Sequence, residues 1–196
     1  DLQTPPPYTT TVTDPLGQSV VHTLTSEGGT CSFYETQTQF YDSSSTLIKT
    51  VNTTYHADAD PLQPDGSHSN AANVVPTGVT TTWPNGQVSK TTTSYDPGVA
   101  ISSPYPADQI LYGLPETKTE SDFGNGTPGT VLRTTTTTYQ ALTSSAYLTN
   151  NLLTLPASVV VTGVSGQAAS TTYTYDTPST LQGSGEIGRA SCRERV

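Results

Sequence analysis

The sequence predicts an all-β protein built from successive antiparallel β-hairpins forming one repeat sheet with irregular connectors, and three observations predict it. Threonine fills 39 of the 196 positions, often in runs such as 134–138, and branched Cβ atoms suit a pleated strand while crowding a helical turn. Gly, Pro, Asn and Asp interrupt these β-forming runs at regular places. No segment carries sustained apolar spacing of helical period.

Five hairpins follow in order. The first joins 8–13 to 18–24 across Asp14-Pro15-Leu16-Gly17; Asp first, Pro second and Gly fourth fit a type I turn. The second joins 33–41 to 46–55 across Asp42-Ser43-Ser44-Ser45. The third joins 78–83 to 87–95 across Pro84-Asn85-Gly86, where Asn-Gly is a strong hairpin signal. The fourth pairs 115–123 with 131–139 across a loop holding Gly124, Gly126 and Gly129, and the fifth pairs 157–162 with 168–175 across 163–166.

The last three turns centre near residues 85, 126 and 165, a spacing of about 40 that lies in the range of repeat architectures. Returning strands end in similar phrases at 90–96, 133–140 and 170–176, and entering strands begin near Pro76, Pro115 and Pro156. Irregular connectors are expected over 56–76, 96–113 and 140–155, the last with room for one helical turn. The returning strands carry little Val or Leu, so the sheet has one weakly apolar face and is expected to need neighbouring repeats.

A net charge of −9 and a pI near 4.4 exclude a phosphate-neutralising nucleic-acid surface. No apolar run reaches the roughly 18–20 residues of a membrane span. Residues 186–196, Glu-Ile-Gly-Arg-Ala-Ser-Cys-Arg-Glu-Arg-Val, form an abrupt basic tail on an acidic body and read as the in-frame translation of a sequencing-library adapter. The expected organisation is therefore a hairpin-repeat region over 1–185, open at both ends, followed by an adapter-derived tail. Of the two cysteines, Cys192 falls in that tail, so Cys31 has no intramolecular partner and reads as a small buried apolar residue. With no Met present, the reading frame is expected to begin upstream or to have lost a leader.

Candidate chemistry is sparse. Tyr55-His56-Ala57-Asp58-Ala59-Asp60, with Asp65, Gly66 and His68 beyond, places acidic oxygens where a hard cation such as Ca²⁺ could be held. It lacks an EF-hand's loop order and closing Glu, and a solvated connector is the preferred reading of His56, Asp58 and Asp60. Glu116, Glu120 and Asp122 alternate along one expected strand and share a face, which reads as an exposed acidic strand rather than a paired-carboxylate hydrolase site. No Gly-x-Ser-x-Gly elbow fixes a nucleophile, and His22 has no fixed catalytic company. Trp83, the only Trp, could stack on a sugar but reads first as a cross-strand partner of Val88 or Tyr95. No catalytic residue, resident metal or cofactor is assigned.

The Tyr-Asp dipeptides at Tyr41-Asp42, Tyr95-Asp96 and Tyr175-Asp176, each closing a Thr-rich strand, resemble the YD repeat of the rearrangement hotspot (RHS) family. Asp14-Pro15-Leu16-Gly17 resembles that family's turn before a new strand, with Asp14 and Gly17 its key positions. The resemblance covers most of residues 8–180. Departures are plain: Tyr41-Asp42 runs into Ser43-Ser44-Ser45, and Tyr139 is followed by Gln140. Physically, Tyr can lay its ring on a weakly apolar face and reach a partner with its hydroxyl, while Asp can accept turn amides.

The resemblance implies strands wound into a β-shell, which in bacterial members encloses a toxic C-terminal cargo and in other relatives serves cell-surface contact. It further implies a secreted or cell-surface location, a structural and non-catalytic role without cofactor, and flanking repeats of the same polypeptide as partners. The competing expectation is a carbohydrate-binding or adhesive module that engages surface glycans through Trp83 and exposed tyrosines.

Overall fold

The computed structural model describes residues 7–27, 32–58, 73–100 and 109–175. In chain order the strands are β1 (Tyr8–Thr13), β2 (Ser19–Ser26), β3 (Phe33–Tyr41), β4 (Leu47–Ala57), β5 (Val74–Thr82), β6 (Gln87–Tyr95), β7 (Val99–Ala100), β8 (Gln109–Ile110), β9 (Pro115–Ser121), β10 (Gly124–Asn125), β11 (Val131–Tyr139), β12 (Pro156–Gly163) and β13 (Ala168–Thr172). Two short helices, α1 (Gln140–Thr143) and α2 (Ser145–Thr149), lie between β11 and β12. The protein is all-β: eleven strands form one open antiparallel sheet in the order β1-β2-β3-β4-β5-β6-β9-β11-β12-β13, with β10 folded against β6. The remaining two, β7 and β8, pair with each other.

Four of the five hairpins turn by the same device. In Asp14–Gln18, Asp42–Thr46, Trp83–Gln87 and Gly163–Gln167, the first residue's N–H donates to the fifth residue's carbonyl at 2.9–3.0 Å, and the fourth residue's N–H donates back to the first. The fourth residue sits at positive φ: Gly17 at 83°, Ser45 at 60°, Gly86 at 84° and Gly166 at 77°. This is a type I turn followed by a left-handed bulge residue, which matches the twist of the flanking strands. Asp14 Oδ1 accepts from Leu16 and Gln18, both at 2.9 Å, and Asp42 Oδ1 accepts from Ser44 and Thr46, both at 2.8 Å.

The fourth hairpin departs from the expected one. Its first strand stops at Ser121, and the Asp122 N–H closes a long loop on the Thr130 carbonyl at 2.8 Å. The Gly-rich loop folds back on the neighbouring turn, where Gly126 N–H donates to Gly86 O at 2.8 Å. Glycine is required for this: a Cβ on Gly124 would stand 2.2 Å from Thr127 O.

Successive hairpins join laterally, edge to edge, rather than stacking face on face. Register then lines up like residues across the sheet. Thr54, Gly78, Thr92, Thr119, Thr134 and Thr162 form one continuous row over six strands. The adjacent row, on the opposite face, sets Glu120 against Arg133. Apolar burial is concentrated elsewhere. Of Val88, Leu114, Tyr139, Ala141 and Tyr147, the buried apolar residues among those described, all but Val88 lie in the connectors or where a strand meets one. The connector after β11 forms two helical turns where one was expected.

Candidate functional site

The feature that repeats with the fold is a ladder of tyrosines and prolines along the connector end of the sheet. Tyr55 pairs with Pro76, Tyr95 with Pro115 and Tyr139 with Pro156, and at each place a bulge interrupts the register just before the tyrosine. Proline has no amide to give the ladder, so it suits the first position of a strand or a bulge. Each tyrosine also reaches back across its own hairpin. Tyr55 Oη donates to Glu35 O at 2.8 Å, Tyr95 Oη to Pro76 O at 2.8 Å and Tyr139 Oη to Pro115 O at 3.1 Å. Burial pushes all three phenols above their ordinary pKa. The neutral, donating form is the one the fold holds.

The dipeptides singled out in the sequence take different places. Tyr41-Asp42 stands at a hairpin turn, with Tyr41 opposite Ser19 and Leu47. Tyr95-Asp96 stands at the other end of its strand, where a connector begins. Tyr55, which no dipeptide marks, shares the ladder with Tyr95 and Tyr139. A spacing rule would have found it: a Tyr at or near the end of a strand, followed about twenty residues later by a Pro at or near the start of the next. Tyr175 packs edge-on against Tyr147 at 6.4 Å between ring centres; Asp176 lies outside the described residues.

Asp96 is 1% exposed and is bound entirely by backbone. Its Oδ2 accepts from Gly98 at 3.0 Å and Tyr112 at 2.9 Å, and its Oδ1 from Leu114 at 2.8 Å. Its own N–H donates to Leu114 O at 3.0 Å. One carboxylate thus ties the two ends of the 96–114 connector together, and charge-assisted bonds of this kind are the strong ones.

Asp58, also buried, accepts from Leu111 N–H at 3.2 Å through Oδ2. Asn73, whose carbonyl receives the Asp58 N–H at 3.0 Å, donates through Nδ2 to Leu111 O. The solvated-connector expectation therefore fails for Asp58, whose side chain joins two connectors. His56 is exposed, with Nε2 3.8 Å from Asp58 Oδ1. That oxygen has no hydrogen-bond partner among the described residues. Asp60, Asp65 and His68 lie outside those residues, as do Cys31 and residues 186–196. Among the described residues no three His, Cys, Asp or Glu side chains gather as a metal-ligand set.

Of the expected acidic face, Glu120 is paired with basic side chains. Glu120 receives Arg133 Nε at 2.6 Å and lies 3.4 Å from Lys118 Nζ; the Arg133 bond holds its carboxyl below the usual range. Asp122 sits in the loop and accepts from Phe123 N–H at 2.8 Å. His22 meets Glu35 at 2.5 Å through Nδ1, and Thr38 Oγ1 donates to the same carboxyl. These two bonds, Thr38's first, lower the Glu35 pKa. Trp83 packs edge-on against Phe123, with ring centres 4.9 Å apart. The back-folded loop that brings Phe123 there leaves no local signal in the sequence.

Among the described residues no helix is long and apolar enough to cross a membrane. No protein-family model, curated protein or solved structure matches the chain.

Proposed function

We propose that the chain is a non-catalytic structural repeat segment of a secreted or cell-surface RHS-like protein, contributing strands to a shell that encloses or presents a C-terminal domain. The observation that carries this reading is the Tyr-Pro ladder, repeated at three neighbouring junctions of one open sheet. A ladder that joins hairpin to hairpin extends by repetition, and the few buried apolar side chains among the described residues suit a sheet wall whose stability grows with each added repeat. Acidic groups of the sheet have structural work: Asp14, Asp42 and Asp96 hold backbone amides, and Glu120 holds Arg133.

Long-read sequencing of the parent gene tests the proposal. Further Thr-rich hairpins with strand-ending Tyr and strand-opening Pro, leading to a distinct C-terminal domain, are expected. An unrelated ending directly after Gly185 contradicts it.

A second reading, an adhesive module for surface glycans, has one observation in its favour: the Trp83–Phe123 pair, whose Phe123 is 54% exposed. Glycan-array binding that disappears in Trp83→Ala is its test, and uniform failure to bind removes it.

A further inference from the structure

We propose that the outer edge of β13 is an acceptor for one extended strand that opens with an apolar residue followed by proline, supplied by a further repeat of this same kind. The inference rests on reading the chain as a repeat segment, and names the recognition rule by which the next repeat is joined.

Three junctions of the sheet set the rule. At each, a bulge falls just before a Tyr at or near the end of a returning strand, and that Tyr pairs with a Pro at or near the start of the next: Tyr55 with Pro76, Tyr95 with Pro115, Tyr139 with Pro156. The residue preceding the proline closes two of them, since Asp96 N–H donates to Leu114 O at 3.0 Å and Gln140 N–H to Leu155 O at 2.9 Å.

β13 reproduces β6, the strand that receives β9. Ser158 pairs with Thr172 and Tyr173 N–H donates to Ala157 O at 2.9 Å, so continuing the register sets Thr174 against Pro156 and Tyr175 one residue beyond. In β5–β6, Gly78 pairs with Thr92, which sets Ser94 against Pro76 and Tyr95 one residue beyond. Tyr175 therefore holds the Tyr95 position of its hairpin.

The backbone agrees. Gly163 bonds Gln167, and Ala157 bonds Tyr173, so odd-numbered residues of β13 face β12, and the amides of Ala168, Ser170 and Thr172 point to the outer edge. Among the described residues no strand occupies that edge. Natural edges are blunted by charge, proline or a bulge. Ala168-Ala169-Ser170-Thr171-Thr172 has no charge or proline, and its register with β12 is unbroken.

The experiment measures fluorescence anisotropy of a labelled peptide copying residues 113–121, Gly-Leu-Pro-Glu-Thr-Lys-Thr-Glu-Ser, titrated with the full chain. Saturable binding is expected, weakened at least about fivefold in Thr172→Pro and in Ser170→Pro, each of which removes one outward amide and no bond to β12. Circular dichroism and an unchanged Trp83 emission establish that each variant is folded. A peptide carrying Pro115→Val should bind about fivefold more weakly, the scale of one lost cross-strand pair. No saturable binding, or binding untouched in both folded edge variants or by Pro115→Val, overturns the proposal. Such failure leaves the repeat reading standing, because the parent gene decides that separately.

Discussion

The Tyr95 hydroxyl donates to the Pro76 carbonyl at 2.8 Å, so the last residue of a returning strand is fastened to the opening of the strand that precedes it. Tyr139 repeats the relation with Pro115 at 3.1 Å. Tyr95→Phe and Tyr139→Phe should each lower unfolding stability by about 1 kcal/mol, the net worth of one such hydrogen bond. Urea titration checks this, with Tyr8→Phe as the control: Tyr8 is 54% exposed and its change should stay within about 0.5 kcal/mol.

The same phenols set an alkaline limit. Burial raises the pKa of Tyr55, Tyr95 and Tyr139 in the fold, and a phenolate has no proton to donate. Their contribution is fully present below about pH 10, the ordinary tyrosine value, and is lost as pH rises through the higher folded values. Melting temperature should fall above about pH 10, less steeply in Tyr95→Phe/Tyr139→Phe. The acid limb has the opposite sign. Thr38 and His22 lower the Glu35 pKa, so its contribution is present above its ordinary range and is lost as pH falls through the folded value.

Asp96→Asn should cost about 2 kcal/mol. The carboxylate takes three backbone N–H groups on two oxygens, whereas an amide offers one acceptor and turns an NH₂ toward a donor. Asp14→Asn, at an exposed turn, should cost under about 1 kcal/mol. Chemical denaturation of both variants compares the buried connector anchor with its exposed counterpart.

Ser45→Gly should stabilise the chain by about 1 kcal/mol, read as a rise in the urea midpoint. Ser45 holds φ 60° where the three matching turns use Gly17, Gly86 and Gly166, and a side chain in the left-handed region costs roughly this much.

The hairpins were legible because their determinants are local. Asp14, Pro15 and Gly17 specify a turn within four residues, and Asn85-Gly86 does so in two. Pro76, Pro115 and Pro156 marked strand openings for the same reason. What was not legible depends on contacts distant in sequence. Tyr55, followed by His56, is joined to Tyr95 and Tyr139 by its pairing with Pro76, 21 residues on. The burial of Asp58 is set by Leu111, 53 residues away. The sequence places Phe123 in a strand, yet the loop folds back at Gly126 and delivers it to Trp83. Turn chemistry gives no register between hairpins; the sideways joining of β6 to β9 comes from the tyrosine, the bulge and the proline at the connector.

That junction is the most direct place to test the account. In a Cys31→Ser/Cys192→Ser background, Thr93 and Lys118, directly opposed on β6 and β9, are replaced by cysteines, and disulfide formation under mild oxidation is measured by mass spectrometry. Opposed residues of an antiparallel pair fall within disulfide reach. Near-complete crosslinking of Thr93→Cys/Lys118→Cys is expected, and little of the offset pair Thr93→Cys/Thr119→Cys. Preferential crosslinking of the offset pair, or none of either, contradicts a single sheet registered by the Tyr-Pro ladder.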